Sequence, residues 1–266
     1  MRTSKSLRAP LWRVAGAVVF GFGGGASAEE VVPDLPGWTL TFHDEFAEPH
    51  LDGTRWVARD PWGAEKNGEL QGYAPGAFSV SDGILQIRCD KTPVFYDGKT
   101  REYRSGMLTT LGRFSQCFGR YEVRCRVPRG RGLWPAFWML SDPLVWPPEI
   151  DVLEILGGEP DKVYLSHHWP DPNDPGGDSL SQTGHFRGPD FAADFHTFAV
   201  EWESSEIRWY IDGVARHRAT REIPQGPMFL LLNLAVGGWA EAPDETTVFP
   251  ALYEIDYVRV WQRAAD

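Results

Sequence analysis

Three carboxylates stand close together in one short segment of the sequence. Glu149, Asp151 and Glu154 lie between Trp146 and Gly158. Like charges at close range raise the pKa of one member of such a group, so that this member stays protonated and can serve as a general acid. Cleavage of a glycosidic bond with retention requires one carboxylate as nucleophile and another as acid/base, about 5–5.5 Å apart. The segment therefore contains residue types suited to glycoside hydrolysis.

The local structure of this segment decides whether the carboxylates can act together, and the pattern leaves two alternatives. Prolines at the start, acidic residues in a first turn and glycines at the end are ordinary helix signals. In a β-strand, Glu149 and Asp151 share a face, while Glu154 would point to the opposite one. A β-bulge, one extra residue between Asp151 and Glu154, returns Glu154 to the shared face. A flat strand would still hold the two glutamate Cα atoms roughly 13 Å apart, so their side chains would have to converge over a concave sheet.

The rest of the chain is patterned as short strands joined by turns. Residues 119–128 alternate apolar with charged side chains, as a half-buried strand does. Residues 229–236 are almost continuously apolar, which is typical of a strand buried on both faces. Asp82-Gly83 and Asp212-Gly213 each stand between two such runs, and Asp-Gly supplies the positive φ angles of tight hairpins. These features predict a single all-β domain, a sandwich or a barrel.

The N-terminus has the three parts of a secretory signal peptide. Four basic residues come first, an apolar glycine-rich stretch covers 14–25, and Ala26-Ser-Ala28 offers a cleavage site. The apolar stretch is shorter than the ~20 residues of a membrane span. We therefore expect a signal peptide over 1–28, a catalytic domain over 29–266, no membrane span, and a secreted or periplasmic location. An uncleaved apolar tail or anchor is the alternative.

The charge of the chain bears on its partners. Loss of the four basic residues in 1–28 leaves 22 basic against 37 acidic residues, a net charge of about −15. So acidic a chain is not expected to bind nucleic acid or an anionic membrane, whereas a neutral polymer would not be repelled. Of three cysteines, Cys89 and Cys125 both lie on apolar sides of their segments. Either they form one cross-strand disulfide, or they are buried free thiols.

Other segments accompany the carboxylates in a consistent order. Together with Glu149-Ile-Asp-Val-Leu-Glu154, this order resembles glycoside hydrolase family 16, in the bulged E-x-D-x-x-E form typical of laminarinase-like members. The resemblance covers essentially the whole chain after residue 28. The segments that carry it include Asn67-Gly-Glu-Leu-Gln71, Gly119-Arg-Tyr-Glu-Val-Arg124, Gly132-Leu-Trp-Pro-Ala-Phe-Trp-Met-Leu140, Ile207-Arg-Trp-Tyr-Ile-Asp-Gly213 and Leu232-Asn-Leu-Ala-Val-Gly-Gly238.

The resemblance implies a fold and a set of catalytic roles. The fold would be a β-jelly-roll sandwich of two curved antiparallel sheets, concanavalin A-like, with the substrate cleft on the concave face. Glu149 would be the nucleophile and Glu154 the acid/base. Asp151 would hydrogen-bond the nucleophile and tune its charge.

The resemblance also implies binding residues. Trp134 and Trp138 share strand parity and look like sugar-stacking residues, although both could instead belong to the core. Asn67 and His168 look like polar residues of the substrate subsites. No cofactor is required for the chemistry.

Many members of the family carry a structural calcium ion on the convex side. The matching positions in this chain are Glu45, the carbonyl of Gly83 and Asp256, all oxygen donors suited to calcium. Ordinary surface carboxylates are the alternative.

The function implied is that of a secreted, monomeric, endo-acting retaining hydrolase of β-glucan. Laminarinases usually have glycine just before the first catalytic glutamate, whereas this chain has Pro147-Pro148. The linkage is therefore open between β-1,3-glucan and mixed-linkage β-1,3-1,4-glucan. The alternatives are a transglycosylase, a hydrolase of another β-linked polysaccharide, or a non-catalytic glycan-binding protein on the same fold.

Overall fold

Residues 32–174, 176 and 179–264 are described by a computed structural model, and within them the chain forms β-strands and two short 3₁₀ turns. The predicted signal peptide lies outside the described residues and stays a prediction. Among the residues described, no helix is long and apolar enough to cross a membrane. The 3₁₀ turns are Pro75–Ala77 and Gly238–Ala240.

The strands in chain order are β1 (Trp38–Asp44), β2 (Gln71–Tyr73), β3 (Phe78–Ser81), β4 (Ile84–Cys89), β5 (Val94–Tyr96), β6 (Lys99–Arg101), β7 (Tyr103–Ser105), β8 (Met107–Thr109), β9 (Gly119–Arg126), β10 (Leu133–Ser141), β11 (Val145–Ile155), β12 (Lys162–Pro170), β13 (Ser179–Arg187), β14 (His196–Trp202), β15 (Ile207–Ile211), β16 (Val214–Ala219), β17 (Met228–Val236) and β18 (Ala251–Arg263).

Two large antiparallel sheets form the architecture. The first has the order β16-β15-β14-β9-β18-β4-β3, and β1 also pairs with β18. The second has the order β13-β12-β11-β10-β17-β8. Two-stranded ladders, β2-β7 and β5-β6, lie beside them. This confirms the predicted antiparallel β-sandwich.

Strand β17 of the six-stranded sheet is apolar on both faces except at Asn233, and it is buried at every position. Leu230, Leu232 and Leu234 belong to the main core between the sheets. Phe229 and Leu231 alternate with them and belong to a smaller cluster, packed against the rings of the cleft described below. The period of two therefore places one set of residues in the core and the other beneath the site.

The Asp-Gly hairpins form as predicted. Asp82 and Gly83 have φ angles of 54° and 74° in the turn between β3 and β4, and Asp212 and Gly213 have 49° and 75° between β15 and β16. Two consecutive positive φ angles suit the twist of the paired strands.

All three cysteines are free thiols. Cys89 pairs with Ala251 of β18, and Cys125 pairs with Ile255 on the other side of the same strand. Two inter-strand spacings, roughly 9–10 Å, separate β4 from β9, which is too far for a disulfide. The sequence allowed a bridge because it does not show that β18 lies between them.

Candidate active site

A bulge in β11 brings the three carboxylates onto one face. Asp151 pairs with Ser166 of β12 and Glu154 pairs with Tyr164, so two residues of β11 stand opposite one residue of β12. The bulged residues Val152 and Leu153 are both fully buried. The segment is therefore a strand, the helical alternative is wrong, and the predicted extra residue is confirmed.

The three carboxylates line an open cleft and a smaller pocket that adjoins it. Glu149 and Glu154 contribute to both, whereas Asp151 lines the smaller pocket only. Of the residues predicted to bind substrate, Trp134, Trp138, Asn67 and His168 all lie in the lining of the open cleft. Their contact with sugar stays a prediction, but the fold brings all four to the carboxylates.

Indole groups donate hydrogen bonds to both glutamates. Trp134 Nε1 donates to Oε1 of Glu154 at 3.1 Å, and Trp146 Nε1 donates to Oε2 of Glu149 at 2.6 Å. These bonds fix the orientation of each carboxylate and favour its ionised form.

Asp151 is the most enclosed of the three carboxylates, with 1% of its surface exposed. Its Oδ2 lies 3.2 Å from Nε2 of His168, and the same nitrogen lies 4.0 Å from Oε1 of Glu149. Trp209 Nε1, from the opposite sheet, donates to the backbone carbonyl of Asp151 at 2.7 Å. Both sheets therefore hold the centre of the cluster in place.

Burial in a shared cleft raises the pKa of all three carboxyls. Burial is the largest cause for Glu149, and the charge of Asp151 adds to it. Burial, then the charge of Glu154, raises the pKa of Asp151 well above its usual range. Burial and the charge of Glu149 raise the pKa of Glu154 to about 8. Because all three cannot ionise together near neutral pH, the cluster holds a proton that one member can donate.

The two predicted tryptophans are partly exposed in the cleft, which argues against the alternative that both belong to the core. The ring of Trp138 stacks on Trp62 at 6.1 Å, and Trp134 makes an edge contact with Trp239 at 5.7 Å. Trp138 Nε1 donates to Oδ1 of Asn233 at 2.7 Å, which fixes its ring.

Asn67 reaches the cleft from a turn rather than from a strand. Its φ of 57° is left-handed, a conformation that asparagine tolerates better than most residues. Its Nδ2 lies 3.4 Å from Oε1 of Glu69, a further, half-buried carboxylate of the site. Gln71 and Tyr73 also donate to Glu69, at 2.5 and 3.1 Å. Burial raises the pKa of Glu69 as well.

The sequence did not single out several other residues of the lining. The sequence contains twelve tryptophans, an unusually high number, but composition alone does not show which of them lie in the core and which line the cleft. Trp146 and Trp239 are 48% and 44% exposed, which marks them as surface rings of the cleft. The residues missed include Trp62, Trp146, Tyr164, Ser166, Thr183 and Trp239.

The residues expected to bind calcium have other partners here. Arg259 donates two hydrogen bonds to the carboxylate of Glu45, at 2.9 and 2.7 Å, and Arg124 pairs with Asp256. The backbone carbonyl of Glu45 lies 4.0 Å from the position of a β-carbon built on Gly83, so the two loops do approach. The oxygen donors are of the right type, but calcium would compete with guanidinium groups for both carboxylates. A calcium site here stays a proposal.

Comparison with known proteins shows which family the chain resembles. The profile of the family "Glycosyl hydrolases family 16" matches residues 72–259. A beta-glucanase of Rhodothermus marinus is 37% identical over 255 residues, which cover 85% of this chain and 86% of that protein. The endo-1,3-1,4-beta-glycanase EglC of Rhizobium meliloti (strain 1021) is 36% identical over 86% of this chain. The match spans 52% of the length of EglC, so this chain covers about half of that relative.

Comparison with a solved structure shows that the fold is that of a laminarinase catalytic domain. The laminarinase catalytic domain from Thermotoga maritima MSB8 superposes with a TM-score of 0.75 at 35% sequence identity. The superposition covers 86% of this chain and 99% of that domain.

Proposed function

The chain belongs to glycosyl hydrolase family 16, and on that premise we propose that it is a retaining endo-β-glucanase with Glu149 as nucleophile and Glu154 as acid/base. The observation that carries the proposal is the register of β11. Its bulge sets both glutamates and Asp151 on one face of a cleft. A regular strand would have turned Glu154 into the core.

The reaction has two steps. In the first, a carboxylate oxygen of Glu149 attacks the anomeric carbon, and Glu154 gives its proton to the glycosidic oxygen as that bond breaks. A glycosyl ester on Glu149 results. In the second, ionised Glu154 takes a proton from water, the water oxygen bonds to the anomeric carbon, and the ester bond breaks. Glu149 is regenerated as a carboxylate, Glu154 regains its proton, and the anomeric configuration is retained.

Each glutamate has surroundings that suit its role. The pKa of Glu154 is raised to about 8 by burial and by the charge of Glu149, so Glu154 carries a proton at neutral pH. Burial raises the pKa of Glu149 as well, and the indole N–H that Glu149 accepts from Trp146 opposes this shift and favours the carboxylate form needed for attack. Nε2 of His168 lies 4.0 Å from Oε1 of Glu149 and 3.2 Å from Oδ2 of Asp151, so it links the two carboxylates.

The cleft supports a polymeric, neutral substrate. It is open and lined by aromatic rings, against which the C–H faces of pyranose rings can pack while the hydroxyls stay hydrogen-bonded. An open cleft admits the interior of a chain, which is the geometry of endo cleavage. The acidic net charge disfavours anionic polymers but not neutral glucans. The name of EglC indicates mixed-linkage β-1,3-1,4-glucan, and that of a further relative, glucan endo-1,3-beta-glucosidase A1 of Niallia circulans, indicates β-1,3-glucan.

A substrate of this size also bears on location. A polysaccharide does not enter a cell intact, so an enzyme that cuts it must act outside the cytoplasm. The signal-peptide pattern of residues 1–28 supports secretion or a periplasmic location. N-terminal sequencing of the mature protein should then begin at Glu29.

A polysaccharide panel tests the function. We expect residues 29–266 to release reducing ends from laminarin or lichenan as a ladder of oligosaccharides, with the β-anomer formed first in a proton NMR time course. Agarose and carrageenan should not be cut. Glu149→Gln is the matched control and should release nothing. If the unmodified chain binds glucan without cutting it, it is a glycan-binding protein. If new glycosidic bonds dominate the products, it is a transglycosylase.

A further inference from the structure

Trp146 has a place in the site that the two-step reaction does not explain. Leu140 of β10 pairs with Glu149, but the next residue, Ser141, pairs with Val145. Residues 146–148 therefore leave the ladder and have no partner on β10. The excursion includes Pro147-Pro148, which occupies the position where the sequence departs from the pattern of laminarinases.

This excursion folds the indole of Trp146 back onto the nucleophile. A regular strand would point residues 146 and 149 to opposite faces. Here Nε1 of Trp146 lies 2.6 Å from Oε2 of Glu149. The ring itself is 48% exposed, so core packing does not hold it there.

The charges around Glu149 make this hydrogen bond consequential. Asp151 and Glu154 face it from its own strand, and His168 faces it from β12. Burial disfavours the ionisation of Glu149 most strongly, and the charge of Asp151 adds to this effect. An N–H donated to a carboxylate opposes these effects without adding a charge that a substrate would have to displace.

We propose that Trp146 is a positioning residue for the nucleophile, and that its indole N–H favours the ionised form of Glu149 and directs Oε1 to the anomeric carbon. The inference rests on the proposed function in treating Glu149 as the nucleophile. Oε2 is bound to the indole, so Oε1 is the oxygen available for attack. Oε2 then becomes the carbonyl oxygen of the glycosyl ester and keeps its N–H donor. The donor also steadies the carboxylate as it leaves in the second step.

Trp146→Phe removes the N–H and keeps an aromatic ring, and Trp146→Leu removes both. The titration of Glu149 is measured by carboxyl NMR of protein labelled with ¹³C-glutamate, and its resonance is assigned by its absence from Glu149→Gln. Because the lost donor stabilised the charged form, we expect Glu149 to titrate about one pH unit higher in both variants. The acid limb of kcat/KM on soluble β-glucan should move upward by the same amount. Trp239→Phe, a half-exposed ring of the same cleft, is the matched control and should not move the titration.

The two readouts separate this inference from the proposed function. The NMR titration needs no turnover, so it judges the role of Trp146 even if no glucan is cut. An unchanged Glu149 titration in Trp146→Phe and Trp146→Leu, at unchanged melting temperature, would overturn the inference. An equal shift in Trp239→Phe would also overturn it, since the effect would then belong to the cleft in general. Failure to cut any glucan would contradict the function instead.

Discussion

At the scale of single residues, the two glutamates have the same chemistry and different neighbours. Glu149 is flanked by an indole N–H and by His168, whereas Glu154 has an indole N–H on one oxygen. The charge of each carboxyl raises the pKa of its neighbours, so a proton that leaves one is held by another. The roles of the pair therefore follow from surroundings rather than from residue type, and each role can be removed separately.

Substitution with glutamine should distinguish the two roles. Glu154→Gln loses the proton donor, and general acid catalysis typically increases the rate by about 10²–10⁴-fold. We expect a severe loss on polysaccharide and a much milder loss in the first step on an aryl glycoside, whose phenolate leaves unaided. Azide should speed turnover and yield a β-glycosyl azide, because a small anion attacks the ester without base assistance. Glu149→Gln should fail on every substrate. A β-glycosyl azide from Glu149→Gln, and none from Glu154→Gln, would show that the roles are reversed.

The raised pKa of Glu154 gives a prediction for pH dependence. Its acid form is required in the first step, and burial together with the charge of Glu149 raises its pKa to about 8. Activity should therefore persist at neutral pH and fall as pH rises through about 8, where the proton is lost. The measurement is kcat/KM against pH on soluble glucan. In Glu154→Gln the residual activity on an aryl glycoside should lack this basic limb. A basic limb that survives the substitution would belong to another group.

At the scale of elements, the bulge of β11 is supported by the loop that follows it. Gly157 donates to the carbonyl of Leu133 at 2.7 Å and accepts from the backbone N–H of Gly130 at 2.8 Å. These bonds tie the end of β11 to the start of β10. Glu154 lies three residues earlier, so the position of the proposed acid/base depends on this contact.

Two adjacent glycines provide a matched test of that contact. A β-carbon on Gly157 would lie 2.5 Å from the carbonyl oxygen of Gly130, so backbone must move. On the exposed Gly158 it would meet Arg131 at 3.7 Å, an ordinary contact. We expect Gly157→Ala to lower the free energy of unfolding by about 1–3 kcal/mol and to reduce activity. Gly158→Ala should stay within about 0.5 kcal/mol of the unmodified protein. Denaturant unfolding measures both, and equal effects would contradict the proposed coupling.

At the scale of the whole molecule, the two sheets differ in what their outer faces carry. The eight-stranded sheet packs its apolar face on the core, and its other face carries paired charges such as Arg120 with Glu122 and Glu201. The six-stranded sheet has the core on one face and the cleft on the other. Loop contacts far from the cleft, including the proposed calcium site, therefore act on stability rather than on chemistry.

Calcium should then change the melting temperature and not the catalytic constants. If an ion binds the native state at Glu45, Gly83 and Asp256, it stabilises that state by mass action. We expect chelator to lower the melting temperature and added Ca²⁺ to restore it, with Asp256→Asn insensitive to both. Thermal unfolding followed by circular dichroism is the measurement. Identical melting curves under saturating Ca²⁺ and under chelator would remove the site, and the ion pairs with arginine would be its replacement.

The sequence by itself determined the type of fold and predicted which carboxylates are catalytic. Alternation of period two and Asp-Gly turns are local signals, so strands such as β9 and the hairpin at Gly83 could be read directly. The spacing of Glu149 and Glu154 required either a helix or a bulged strand, and the accompanying motifs favoured the strand. Trp134 and Trp138 could be predicted to line the cleft because they point to the same face of one strand, and the family resemblance places that strand next to the carboxylates.

Only the tertiary structure decided what depends on neighbours distant in sequence. Whether Cys89 meets Cys125 depends on β18, which the order of the chain does not reveal. Whether Glu45 is available to calcium depends on Arg259, more than two hundred residues away. The indole of Trp146 reaches Glu149 because residues 146–148 leave the ladder, and no local periodicity predicts such an excursion. Local patterns set the direction of a side chain within its strand, but register and sheet order set its partners.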